Sequence, residues 1–177
     1  MRRGFSANTL LRISLPNEFN TVANRLRSFG LGNEVDKFEL QMNQAAETAA
    51  GEAFDVFSAA IINMPLREAF LILNGHSNAA TVYFKEQTSA ELANRFAPVV
   101  QSAMEKVGIY TLYNQLIDRY NAIPLVRPVN VDLEAHIVNQ TLIGMFSVLE
   151  SEELKIREDP LARTADLLKR VFGSRNR

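Results

Sequence analysis

The sequence of 177 residues predicts an all-α fold, and three observations support this class. Apolar residues recur every three or four positions through most of the chain, which is the spacing of one helix face. Eight glycines and six prolines are few for a β-sandwich or barrel, which needs many turns. No stretch alternates apolar and polar residues between turn signals, as a half-buried strand does. We therefore expect a single-domain bundle of about seven or eight helices.

The N-terminal third of the chain predicts an arm and two helices. Residues 1–15 lack sustained periodicity and should form an irregular N-terminal arm. A short helix follows Pro16 and ends at Gly30. A long central helix is expected over 33–62, because alanines in the middle of its apolar stripe allow close approach of neighbours at 109–121 and 132–150. That stripe consists of Val35, Phe38, Met42, Ala45, Ala46, Ala49, Ala53, Phe54, Phe57, Ala60 and Ile61.

The rest of the chain predicts shorter helices and then two longer ones. Short helices are expected near 66–73 and 77–84. Residues 88–91 have the pattern of a capping box, which predicts a helix start there. The cleanest periodicity lies at 109–121, a long helix follows residue 132, and the last helix covers 161–172. The single helical domain should therefore span 16–173, followed by a basic tail at 174–177.

Composition limits the classes of function. A net charge of -1 gives no overall footprint for nucleic acid, so no nucleic-acid partner is predicted. The absence of cysteine excludes disulfides, thiolate zinc sites and thiol nucleophiles. No apolar run approaches the roughly 18–20 residues that span a bilayer. The chain as written shows no recognisable export signal, because Arg12 interrupts the apolar residues near its start.

Several segments of the chain resemble one protein family. They are Phe38–Glu47, Ile72–Gly75, Ala79–Phe84, Thr88–Ser89, Tyr120–Pro124, Lys155–Thr164 and Leu167–Phe172. These segments are similar to the bacterial domain of unknown function 4197 (DUF4197) family, and the resemblance extends over about 4–173. It implies a helical domain, and a periplasmic or envelope location because members usually carry an export signal. It implies no activity and no catalytic residue, and the missing signal leaves a cytoplasmic location open.

One polar line on the predicted central helix is the main candidate site. Glu39, Asn43 and Glu47 are spaced at i, i+4 and i+8, so they share one face at about 6 Å per step. If this face is shielded, the two carboxylates could perform acid/base chemistry or bind a cation. The alternative is a solvated face, or ion pairs with Arg157 or Arg163 near the last helix junction. We expect the structural role.

Other polar and aromatic residues offer weaker candidates. Tyr83, Tyr113 and Tyr120 could line a ligand cavity, although core packing is the expected role. His76 and His136 are the only histidines, and neither has the Glu-x-x-His spacing of helical metal sites. Glu153 and Arg157 have the spacing of an ordinary surface pair. No metal site, cofactor or catalytic residue is therefore assigned.

Three functions remain open on this sequence. We favour a non-catalytic binding or interaction protein, and an exposed apolar surface would support this role. The first alternative is a carrier of a small apolar or amphipathic ligand in a cavity between helices. The second alternative is an enzyme that uses Glu39 and Glu47. No partner can be named from the sequence.

Overall fold

The computed structural model describes residues 11–158, and this part of the chain confirms the all-α prediction. No strand occurs in it. The helices are α1 (Asn17–Ser28), α2 (Gly32–Ala50), α3 (Ala53–Ile62), α4 (Leu66–Asn74), α5 (Ala79–Lys106), α6 (Ile109–Asn121) and α7 (Leu133–Glu158). The predicted helix at 161–172 and the basic tail at 174–177 lie outside the described residues.

The described chain divides into two compact units. The first unit contains residues 11–54 and 91–142, and the second contains 55–90 and 143–158. Helices α3, α5 and α7 contribute residues to both units. The single domain expected over 16–173 stays a prediction.

Three helices form the close packing of the first unit. Helix α2 packs against α6, as the sequence predicts, and α1 packs against both. The rings of Phe19, Phe38 and Tyr113 stack at this junction, with centroids 5.1–6.1 Å apart. Among the described residues, α1 rather than the predicted segment 132–150 is the second close neighbour of α2.

The predicted long helix over 33–62 is wrong in one respect, because it is interrupted at Gly51 and Glu52. The amides of these two residues donate to the carbonyls three positions back, at Thr48 and Ala49, which tightens the turn. Glycine favours such an interruption because it is a poor helix former. The predicted stripe is buried as far as Ala53, whereas Phe54 and Ile61 are exposed.

The second unit has an aromatic core of its own. The ring of Phe57 meets those of Phe84 and Phe146 edge-on, with centroids 5.9 and 6.0 Å away. Val56, which precedes Phe57 in α3, is also buried. Helix α4 joins α5 through a tight turn at Gly75, where a Cβ atom would lie 2.8 Å from the carbonyl oxygen of Leu71. Only glycine fits this turn.

The capping box predicted at Thr88–Glu91 does not start a helix, because α5 continues through it. The Thr88 hydroxyl donates to the carbonyl of Phe84 and is buried. A threonine inside a helix satisfies its hydroxyl in this way, four residues back. The helix predicted at 77–84 and the helix predicted to start at 88–91 are therefore one helix.

Candidate functional site

The side chain of Asn43 holds the N-terminal segment against α2. Its Oδ1 accepts a hydrogen bond from the Ile13 amide at 2.8 Å, and its Nδ2 donates to the Ile13 carbonyl at 3.2 Å. The second Nδ2 hydrogen is donated to the carbonyl of Glu39 at 2.8 Å. Asn43 is 1% exposed. Both hydrogens of this amide are thus used in the fold and are not free for a ligand.

Glu39 receives arginines from two directions. Arg12 donates to its Oε2 at 2.7 Å, and Arg27 of α1 donates to its Oε1 at 3.3 Å. The ring Nε2 of His136 lies 2.9 Å from the carbonyl of Ser14. Residues 12–14 are therefore fixed to the first unit by consecutive contacts, although their sequence has no periodicity.

The remaining members of the predicted polar cluster lie apart from this contact. Glu47 is partly exposed on α2, and Arg163 lies outside the described residues. Arg157 belongs to the second unit. The two carboxylates of the enzyme hypothesis do not share a described pocket, and Glu39 is paired with two arginines. This geometry favours the structural role.

The three candidate tyrosines take part in packing. The hydroxyl of Tyr113 accepts a hydrogen bond from the Val131 amide at 3.2 Å. Tyr120 is buried in the first unit, and Tyr83 contacts the ring of Phe84 edge-on in the second. These contacts are those of core and half-buried aromatic residues.

A half-open groove of about 400 Å³ lies between α2 and α5 in the first unit. Its lining is mainly apolar, and the ammonium-bearing residue Lys106 contributes to it. The lining residues are Gln44, Thr48, Pro98, Val99, Ser102, Ala103, Lys106 and Val107. None of the candidate tyrosines is among them, so the sequence prediction did not find this groove.

Glu153 of α7 binds the first turn of α5. Its Oε1 accepts from the Ala80 amide at 2.9 Å, and its Oε2 accepts from the amide and the hydroxyl of Thr81, both at 2.8 Å. The amides of a first helical turn have no partner within their own helix. A carboxylate from another helix supplies one here, where it is also favoured by the helix dipole.

Arg157 extends this contact to the end of α4. Its Nη2 donates to Glu153 at 2.7 Å and to the carbonyl of Ile72 at 2.8 Å. The side chains of Glu153 and Arg157 are only 8% and 10% exposed. The i, i+4 pair predicted from the sequence is therefore present, but it is buried rather than on the surface. We call the set Ile72, Ala80, Thr81, Glu153 and Arg157 the Glu153 network.

The hydrogen bonds of this network decide the charge state of Glu153. Burial acts to raise the pKa of Glu153, whereas the amides of Ala80 and Thr81, the Arg157 side chain and the Thr81 hydroxyl lower it. The net pKa lies below the ordinary value. The carboxylate is thus held in its charged form. Sequence reasoning missed this role because the partners on α5 are about 70 residues away in the chain.

A set of exposed apolar side chains distinguishes α3 and α4. Ile62 and Leu66 are 80% and 81% exposed, and α4 has no buried residue. Only positions 63–65 separate these two residues in the chain, so their Cα atoms lie within about 14 Å of each other. We define the apolar surface as Ile61, Ile62, Leu66, Phe70 and Leu71, all in the second unit.

The described residues contain neither a single membrane-spanning helix nor a cluster of metal ligands. Within 11–158, no single helix is both long and apolar enough to cross a bilayer. The segment Gly32–Ile62 and helix α4 are long and apolar enough only when they are taken together, and a bend of 104° separates them. In the same range, no three histidine, aspartate or glutamate side chains converge as metal ligands.

Comparison with known proteins identifies the family. The family model described as "Protein of unknown function (DUF4197)" matches residues 1–173. The chain belongs to this family. No curated protein and no solved structure shows a significant match.

The segments that resemble DUF4197 contain much of the polar chemistry described above. Asn43 lies in Phe38–Glu47, and the carbonyl of Ile72 lies in Ile72–Gly75. Ala80 and Thr81 lie in the segment that opens α5. In this DUF4197 protein, these segments fix an N-terminal arm and two helix ends. They account for architecture and assign no reaction.

Proposed function

We propose that this DUF4197 protein is a non-catalytic interaction protein that binds another polypeptide through the apolar surface of α3 and α4. The observation that carries the proposal is the exposure of five large apolar side chains on two consecutive helices, by 55–81%. Clusters of large exposed apolar side chains are typical of interaction sites. Single exposed leucines are common on proteins, but a nine-residue helix without a buried residue is not.

The energy available from this surface is similar in size to the cost of association. Complete burial of a leucine, isoleucine or phenylalanine side chain contributes about 1.5–3 kcal/mol. Five such side chains, exposed by about two thirds, would contribute roughly 5–10 kcal/mol. Association costs about 4–15 kcal/mol in lost freedom. The surface therefore supports reversible rather than permanent binding unless further contacts are added.

The charges near this surface favour a polypeptide over an anionic membrane. The described residues of the second unit contain seven acidic and four basic side chains. Asp55 lies on α3, and α4 carries both Arg67 and Glu68. An anionic lipid surface attracts Lys and Arg and would repel this unit. A partner helix with a basic polar face fits both the apolar side chains and the charge.

A photoreactive residue placed at Ile62 or Leu66 tests the interaction role in the cell that expresses the protein. We expect a discrete crosslink to another polypeptide at both positions. It should disappear when Phe70→Ser and Leu71→Ser are added, because those changes remove the apolar contact. Lys85, which is exposed on α5 in the same unit, is the matched control position. Equal labelling at Lys85 and Ile62, or crosslinks that survive the two serines, would contradict the proposal.

The groove of the first unit supports a second candidate, a carrier of a small amphipathic anion. Its volume lies within the range of about 300–1,000 Å³ typical of ligand sites. Apolar residues such as Val99 and Ala103 would contact a hydrocarbon chain, and Lys106 could pair with an acid group. Native mass spectrometry of detergent-free protein should then show an added mass that Val99→Trp removes and the exposed change Arg95→Gln leaves in place. Repeated absence of an added mass would exclude this role.

A further inference from the structure

The described chain ends beside the helix that carries the apolar surface. Arg157 lies in the last turn of α7, and its Nη2 donates to the carbonyl of Ile72 at 2.8 Å. Ile72 is near the C-terminal end of α4, the helix of Leu66, Phe70 and Leu71. Because nine helical residues span about 14 Å, the whole of α4 is within reach of a chain that continues for a few turns.

The sequence that follows has the pattern of a partner for this surface. Leu161, Leu168 and Phe172 recur at intervals of seven and four, with Leu167 and Val171 beside them. This spacing is typical of one apolar helix face. Apolar anchors at such intervals are the means by which an amphipathic helix binds an apolar groove.

The charges of the two parts are opposite in sign. Residues 160–173 contain three basic side chains and one acidic side chain. The described residues of the second unit contain seven acidic and four basic ones. Opposite charges favour association and orient it. The apolar spacing and the charge therefore both favour the C-terminal segment as the occupant of the apolar surface.

We propose that the chain's own C-terminal segment, residues 160–173, binds the apolar surface of α3 and α4 and competes there with the partner. This inference rests on the proposed function, because it assigns a regulator to the same surface. A segment on the same chain acts at an effective concentration of the order of millimolar. It therefore weakens partner binding until it is displaced.

A cysteine pair in the full-length chain tests the contact, since the natural sequence contains no cysteine. With Leu66→Cys and Leu168→Cys, we expect an intramolecular disulfide under mild oxidation, formed about tenfold faster than in the control pair Lys85→Cys and Leu168→Cys. High salt should slow it, because the charges are then screened. Equal rates in the two pairs would overturn the proposal. Disulfide-linked dimers would also overturn it, because they would assign the surface to a second copy.

A second experiment separates this inference from the proposed function. Leu168→Ser with Phe172→Ser should raise the yield of the partner crosslink at Ile62, about tenfold by loss of the competitor. Thr164→Ser is the matched control. If the yield at Ile62 is unchanged and the cysteine pair reacts at the control rate, the competitor is excluded while the interaction role stands. If no partner crosslink forms at Ile62 even in the serine variant, the interaction role fails, whatever the disulfide shows.

Discussion

At the scale of single residues, the side-chain amide of Asn43 forms hydrogen bonds of the kind that one backbone segment forms with another. Its amide exchanges two hydrogen bonds with Ile13, as a neighbouring strand would. The sequence predicted that Glu39 and Asn43 share a helix face and that arginines pair with this line. It did not predict Arg12, Arg27 or Ile13 as partners, because an arm without periodicity cannot be placed by pattern alone.

Replacement of Asn43 should test this residue. Asn43→Ala leaves the buried amide and carbonyl of Ile13 without partners, so we expect a loss of roughly 2–4 kcal/mol in the free energy of unfolding. Urea denaturation measures the loss, and hydrogen exchange at the Ile13 amide should accelerate. Gln44→Ala, at an exposed position on the same helix, is the control and should change little. A small effect at Asn43 with slow exchange at Ile13 would show that the arm is held by other contacts.

At the scale of helices, the Glu153 network joins the end of α4 to the start of α5. One i, i+4 pair on α7 supplies an acceptor for two amides of α5 and a donor for a carbonyl of α4. The spacing of Glu153 and Arg157 was predictable, but their burial was not, because it depends on contacts with residues 72 and 85 positions earlier in the chain. The capping box at Thr88 was wrong for a related reason. A local pattern does not reveal whether the preceding residues are already helical.

Removal of the Glu153 charge should destabilise the fold and change its pH dependence. Glu153→Gln places an amide NH2 group opposite donor groups and removes the negative charge that pairs with Arg157, so we expect a loss of roughly 2–4 kcal/mol in the free energy of unfolding near neutral pH. Because the folded pKa of Glu153 is lowered, its contribution is present above the unfolded pKa, about 4.3, and is lost as the pH falls further through the folded pKa. Unfolding in urea between pH 3 and 7 measures this difference.

The control for this prediction is the neighbouring carboxylate of Glu152. It forms an exposed pair with Lys155, so Glu152→Gln should cost less than about 0.5 kcal/mol. The difference in the free energy of unfolding between wild type and Glu153→Gln should decrease as the pH falls below about 4. A constant difference at every pH would show that shape, rather than charge, accounts for the effect of Glu153.

At the scale of the whole molecule, periodicity predicted the helical class and most helix positions correctly. It failed in the last part of the predicted stripe, where Phe57 packs in an aromatic core but Phe54 and Ile61 are exposed. An apolar stripe predicts that a helix face is buried. It does not show whether the residues that bury this face belong to the same chain or to another. Of the apolar surface, only Ile61 belonged to the predicted stripe of 33–62, and the sequence did not mark this surface as a candidate interaction site.

The contact between Asn43 and Ile13 has a consequence for variation among relatives. The amide of Asn43 recognises only main-chain atoms, so the anchor does not depend on which side chain occupies position 13. That position is constrained by the volume of its pocket and by the need for an N–H group, which excludes proline. The asparagine at position 43 is thus the residue that binding of the arm requires. The residue at position 13 can be replaced by another aliphatic residue.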